Sequence, residues 1–114
     1  MSQALDIKES NALDALGNSV RRQILALLAP GPIAVGAIAA QLPVSRPAVS
    51  KHLQILENAE LVSSERRGNR NLFRLQARGF ADARSWLDAY WDEALQRFAM
   101  VCENTKDRSG TRHD

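Results

Sequence analysis

Pro43-Val44-Ser45 separates two stretches of helical pattern, VGAIAAQL (Val35 to Leu42) and RPAVSKHLQILENA (Arg46 to Ala59). So tight a connection leaves few geometries. The second helix must begin at once, and the small residues of the first let the two approach closely. Ser45 can accept hydrogen bonds from the free N–H groups of the second helix. Pro47 stands in its first turn, where a missing N–H costs little. Projected at about 100° per residue, Val49, Leu53 and Leu56 share one side. Arg46, Pro47, Ser50, Lys51 and Gln54 occupy the other, and His52 falls at the edge of the buried side. Packing accounts for the apolar stripe but not for the short, polar, partly basic face opposite it.

The flanking sequence is consistent with a single, mainly helical domain. SNALDALG carries Ala12, Leu13 and Leu16 at helical spacing and stops at Gly17. Ser19 is then placed to cap a second helix, VRRQILALLA, with Val20, Ile24, Leu27 and Leu28 on one face. Pro30-Gly31-Pro32 ends it. After Leu61 the period changes, and LVSSERRGNRNLFRLQ predicts two strands around the turn Gly68-Asn69. Phe73 and Leu75 are expected to face the core, with Arg66, Arg67 and Arg70 at the hairpin tip. Helical periodicity returns at about Phe80 and lasts to about Glu103. There Leu87, Trp91, Ala94, Phe98 and Val101 form a seam of coiled-coil spacing, widened by Trp86, Tyr90 and Leu95. The domain is expected to span residues 1–104, followed by a polar, disordered tail, 105–114.

Net charge is only +2, but its distribution is uneven. Val44 to Arg78 holds seven basic residues (Arg46, Lys51, Arg66, Arg67, Arg70, Arg74, Arg78) against three acids (Glu57, Glu60, Glu65). The segments on either side are balanced or acidic. A basic patch concentrated in the middle third is the electrostatic footprint of a nucleic-acid binder, although a solvated charged face has the same composition. No apolar run approaches the length of a membrane span. The opening MSQALDIKES has acids and no apolar signal core. The single cysteine, Cys102, cannot form an internal disulfide, and a cytoplasmic location is expected.

A short helix, a brief turn and a second helix with a polar front match the chemistry of a helix-turn-helix, which sets its second helix in the major groove. Arg46 could donate two hydrogen bonds to a guanine edge. Ser50 and Gln54 could reach bases, Lys51 a phosphate, and Ser45 both a cap and a phosphate. The hairpin that follows places Arg67 and Arg70 where they could follow the adjacent minor groove or backbone.

The stretches LGNSVRRQILALLA, RPAVSKHLQILENAELV and RRGNRNLFRL together resemble the ArsR/SmtB family of small winged-helix transcriptional repressors, over roughly Leu13 to Phe98. The resemblance implies a winged helix-turn-helix fold and a homodimer paired through its first and last helices. It also implies one recognition helix per subunit in a pseudo-palindromic operator of double-stranded DNA. Carried over, it assigns Ser45, Arg46, Ser50, Lys51 and His52 to DNA, with Arg67 and Arg70 on the wing; Pro47 and Gln54 share the face. Leu13, Leu16, Leu87, Tyr90, Trp91, Ala94, Phe98 and Val101 are the expected dimerisation residues.

Better-known members of that family sense metals, and here the sequence departs. VGAIAAQL has no cysteine, histidine or acid, and the last helix has Asp88, Asp92 and Glu93 but no histidine. Zinc sites want nitrogen or sulfur ligands at close spacing, so no metal and no cofactor is expected. Cys102 is read as a small residue near the dimer seam, with a redox-responsive repressor as the alternative. The aromatic last helix also suits a protein-interaction module, or an inter-subunit ligand pocket. No phosphate-cradling loop, nucleophile elbow or metal-helix motif points to an enzyme.

Overall fold

The computed structural model describes residues 7–109, with side-chain surroundings from 11 to 103. The chain runs α1 (Ile7–Leu16), α2 (Ser19–Leu28), β1 (Ile33–Ala34), α3 (Val35–Ala40), α4 (Arg46–Asn58), β2 (Val62–Arg67), β3 (Arg70–Leu75) and α5 (Ala77–Ser109). Contacts divide it into two compact units at Ala83/Arg84.

In the first unit, α2, α3 and α4 close around one core. Ile24 and Leu28 of α2, Ile38 of α3, and Val49, Leu53 and Leu56 of α4 are buried together with Leu61 and Val62. Fully burying a side chain of this size is worth roughly 1.5–3 kcal/mol. The apolar stripe of α4 therefore anchors that helix and leaves its other side without a packing role. The cap of α2 differs from the expected one. Asn18 is the extended residue, and its side chain accepts from the Arg21 N–H. Ser19 is already helical. Asn and Ser are comparable caps, so the choice between neighbours rests on backbone geometry.

The sheet has three strands in the order β1-β3-β2, all antiparallel. The hairpin β2–β3 turns at Gly68, whose φ of 62° suits a residue without Cβ. Its register pairs Val62 with Leu75, Ser64 with Phe73, and Arg67 with Arg70. β1, too short to show alternation in sequence, pairs Ile33 with Phe73 and Ala34 with Leu72. It thereby ties the hairpin base to the connection between α2 and α3. Phe73 packs on the core, but Leu75, expected beside it, is 36% exposed. Leu75 is the last residue of β3, opposite Val62.

α5 begins at Ala77 and continues to Ser109, into the stretch expected to be a disordered tail. Residues 110–114, with His113, lie outside the described residues.

Candidate nucleic-acid interface

α4 begins as its sequence dictates. Ser45 is extended (φ −71°, ψ 159°), and its hydroxyl accepts from the Ala48 N–H at 3.3 Å. Pro47 occupies the first turn. Behind it, Val49, Leu53 and Leu56 are buried. In front, Pro47, Ala48, Ser50, Lys51 and Gln54 form one shallow, open face, and each of these except Ala48 is exposed.

Arg46 is exposed too, but its guanidinium lies across the angle between α3 and α4. A Cβ added at Gly36 would stand 3.8 Å from Arg46 Nη1. That is ordinary van der Waals distance, so the Arg46 guanidinium lies close to α3 at Gly36, a detail no spacing rule signals.

Toward its C-terminal end the same side of α4 changes character. The Ser64 hydroxyl donates to Glu57 Oε2 at 2.9 Å, tying β2 to α4. Ser50, Gln54, Glu57, Asn71 and Phe73 line a groove between the helix and the hairpin base. The carboxylate of Glu57 makes this end unfavourable for an anion, so the cationic and neutral part of the face ends at Gln54. Sequence reasoning missed Glu57, Ser64 and Asn71; only the hairpin register brings them together.

At the hairpin tip the three arginines differ. Arg66 Nε donates to the Gly68 carbonyl at 3.2 Å. Arg67 pairs with Glu65 at 3.1 Å, with both side chains well exposed, a geometry worth at most about 1 kcal/mol. Arg70 is exposed and makes no hydrogen bond or ion pair among the described residues.

His52 stands apart from the other expected DNA-binding residues. It is half-buried, and its Nδ1 lies 3.3 Å from Nη1 of Arg21. Its ring meets α2, and it is not among the residues that line the shallow face of Pro47, Ser50, Lys51 and Gln54. Partial burial, reinforced by the Arg21 charge, holds the imidazole below its ordinary value of 6.5. Arg21 also donates from Nε to the Ala15 carbonyl (2.8 Å) and from Nη2 to the Asp14 carbonyl (3.3 Å). Arg22 donates to the Leu16 carbonyl (2.7 Å). The two arginines of VRRQIL thus cap the orphan carbonyls of α1 with positive charge, as a helix C-terminus favours.

In the second unit, α5 shows an apolar side to solvent. Leu87, Tyr90, Trp91, Phe98 and Val101 are all at least half exposed, Phe98 most of all at 65%. Trp86 and Tyr90 stack with ring centroids 5.3 Å apart. Trp91, Ala94, Leu95 and Phe98 line an apolar recess. The ion pairs Arg84–Asp88 and Glu93–Arg97 lie along the same helix. Cys102 is exposed. Among the described residues, no three His, Cys, Asp or Glu side chains gather at one point, and no helix is long and apolar enough to cross a membrane.

This arrangement has close counterparts. Residues 16–65 match the family model of a helix-turn-helix domain. The chain is 44% identical over 96 residues to the HTH-type transcriptional regulator Rv2034 of Mycobacterium tuberculosis, covering 84% of this chain and 90% of that protein. It is 35% identical over 78 residues to the transcriptional repressor SdpR of Bacillus subtilis, covering 68% of this chain and 87% of the repressor. A solution structure from Mycobacterium bovis, of the homodimeric winged helix-turn-helix DNA-binding domain of Mb0332, a possible ArsR-family transcriptional regulator, aligns with a TM-score of 0.60. The identity is 32%, covering 85% of this chain and 95% of that one. A helix-turn-helix at α3–α4, a hairpin wing directly after it and these relatives agree: the chain belongs to the ArsR-type family of winged helix-turn-helix, DNA-binding transcriptional regulators.

Proposed function

We propose that the chain is a cytoplasmic, homodimeric repressor that sets one α4 per subunit into the major groove of a pseudo-palindromic operator. The observation that carries this reading is the division of α4. Three buried apolar residues hold it, while Arg46, Pro47, Ser50, Lys51 and Gln54 stay exposed at its N-terminal end, the end that helix-turn-helix proteins present to base edges. Arg46 reads a guanine, Ser50 and Gln54 contact base edges, and Ser45 and Lys51 take phosphates. Pro47 fits against the backbone beside them. Arg67 and Arg70 follow the adjacent minor groove or its phosphates.

Pairing runs through Leu13 and Leu16 of α1 and through Leu87, Tyr90, Trp91, Ala94, Phe98 and Val101 of α5. So much exposed apolar surface on one helix marks an interaction site, and aromatics are favoured in such interfaces.

In vitro selection of bound DNA at physiological salt, with light scattering on the free protein, tests the reading. A recovered palindrome, a dimer mass and an affinity that falls steeply with salt are the expected results. Recovery of no sequence, together with salt-independent binding, sinks it. A monomer that pairs only with a different chain moves α5 into a protein-interaction role.

A further inference from the structure

Arg21 touches two elements that the DNA-binding reading gives separate jobs. One edge of its guanidinium holds the carbonyls of Asp14 and Ala15 at the end of α1 (3.3 and 2.8 Å). The other edge meets Nδ1 of His52 on α4 at 3.3 Å. Arg21 is itself half-buried, so these contacts are partly shielded from competing water.

We infer that Arg21 is a positioning residue for DNA binding, fixing α4 against α1 by holding the α1 carbonyls and the neutral His52 ring on one guanidinium. The inference rests on the DNA-binding reading proposed above. Every nitrogen of arginine is a donor and none an acceptor, so the contact exists only while Nδ1 of His52 carries no proton, with the ring hydrogen on Nε2. Protonation turns an acceptor into a donor and sets two cations 3.3 Å apart. The link between the element expected to pair subunits and the element expected to read DNA is then lost.

The charged groups on the elements that meet α4 can be named in turn. Arg21, on α2, is the one whose charge acts on the ring. Among residues 11–103, the other charged side chains on the elements packed against α4 are Asp14 on α1, Arg22 on α2, and Glu65, Arg66 and Arg67 on β2, with Arg46, Lys51 and Glu57 on α4 itself; α3 has no titratable side chain.

This role has a sign opposite to that of a phosphate contact. A histidine that touched DNA would strengthen binding as it gained charge. A histidine that positions α4 through Arg21 weakens binding as pH falls.

The test is operator affinity against pH, from above 6.5 to well below it, for the full chain and for His52→Asn and Arg21→Gln. Asn keeps an acceptor near the Nδ1 position but takes no proton. Affinity of the unaltered chain should fall about 2–10-fold, the equivalent of one ordinary hydrogen bond, and the His52→Asn profile should be flat. NMR titration of the His52 ring should move upward in Arg21→Gln. An affinity that holds or rises on acidification overturns the positioning role, as does a His52→Asn profile that still falls, or a titration indifferent to Arg21. Absence of operator binding at every pH removes the DNA-binding reading itself, and the positioning role with it.

Discussion

The N–H of Gly79 donates to the carbonyl of Glu60 over 2.7 Å, which brings the start of α5 onto the end of the recognition helix. α4 ends in a Schellman motif: the Leu61 N–H reaches the Leu56 carbonyl and the Glu60 N–H the Glu57 carbonyl. A Cβ at Gly79 would stand 2.6 Å from the Glu60 oxygen and press on the Ala59 carbonyl as well. Both obstacles are backbone, which cannot rotate aside.

Gly79→Ala should therefore destabilise the domain by about 1–3 kcal/mol, the range for forcing an extra methyl into a packed site. Urea denaturation checks this. An unchanged midpoint would show that α5 can start without that approach.

Glu60 lies at the left-handed position of the same motif, with φ 60°, where glycine is the usual residue. Its Oε1 is buried and accepts no well-directed hydrogen bond among the described residues, although Arg78 Nε is 3.2 Å away at ion-pair distance. Arg78 is largely exposed, and such a pair contributes little. Removing the left-handed strain, roughly 1–2 kcal/mol, outweighs the extra unfolded-state freedom of glycine, roughly 0.4–1 kcal/mol. Glu60→Gly should raise the melting temperature slightly, and a lower one would show that Arg78 holds more than its exposure implies.

The recognition helix was legible in the sequence because each of its parts is local. Ser45, Pro47 and the spacing of Val49, Leu53 and Leu56 need no distant partner, and all three signals agree in the structure. The long C-terminal helix was legible for the same reason, except at its far end. What was not legible depends on pairing across the chain. β1 exists only because β3 lies beside it. Leu75 follows the alternation that predicts burial, yet it stands exposed at the last position of β3. Arg21 and Arg22 read as generic charge until α1 offers its carbonyls. His52, at the edge of two faces in the sequence, meets an arginine 31 residues earlier, a contact no local spacing signals.

Ser45 separates stability from binding. Ser45→Ala removes the acceptor for the Ala48 N–H and should cost about 1 kcal/mol, the usual value of such a cap. Ser45→Asp restores the cap and suits the helix N-terminus, so its stability should match that of serine. Its charge would face phosphate, however, and operator affinity should fall. Melting curves and DNA titrations of the two variants check the pair of outcomes; a loss of stability in both would point to a different role for the hydroxyl.

Folding stability should also depend on His52. The imidazole is held below 6.5 in the folded chain, so the unfolded chain binds the proton more readily. Stability therefore falls as pH falls wherever the two protonation curves differ, and the loss persists below that window. The contribution is complete above pH 6.5 and is lost as pH falls below it. The urea midpoint of the unaltered chain should decline over that window more than that of His52→Asn. Parallel declines would assign the loss to other groups.

The three arginines expected at DNA should respond differently to removal. Arg46→Ala takes away a bidentate donor and should cost about 1–3 kcal/mol while relaxing preference at one base position. Arg70 makes no hydrogen bond or ion pair among the described residues, so Arg70→Ala should weaken binding evenly across sequences and lower the salt slope by about 1. Arg67 is paired with Glu65 at 3.1 Å, and this pair must open or be shared for Arg67 to reach a phosphate. Glu65→Ala frees the guanidinium and removes an anion from the hairpin tip. It should strengthen binding to specific and unrelated DNA alike and steepen the salt dependence. Fluorescence titration at several salt concentrations measures both quantities, and weaker binding by Glu65→Ala would mean that the acid holds Arg67 in its working position instead of competing for it.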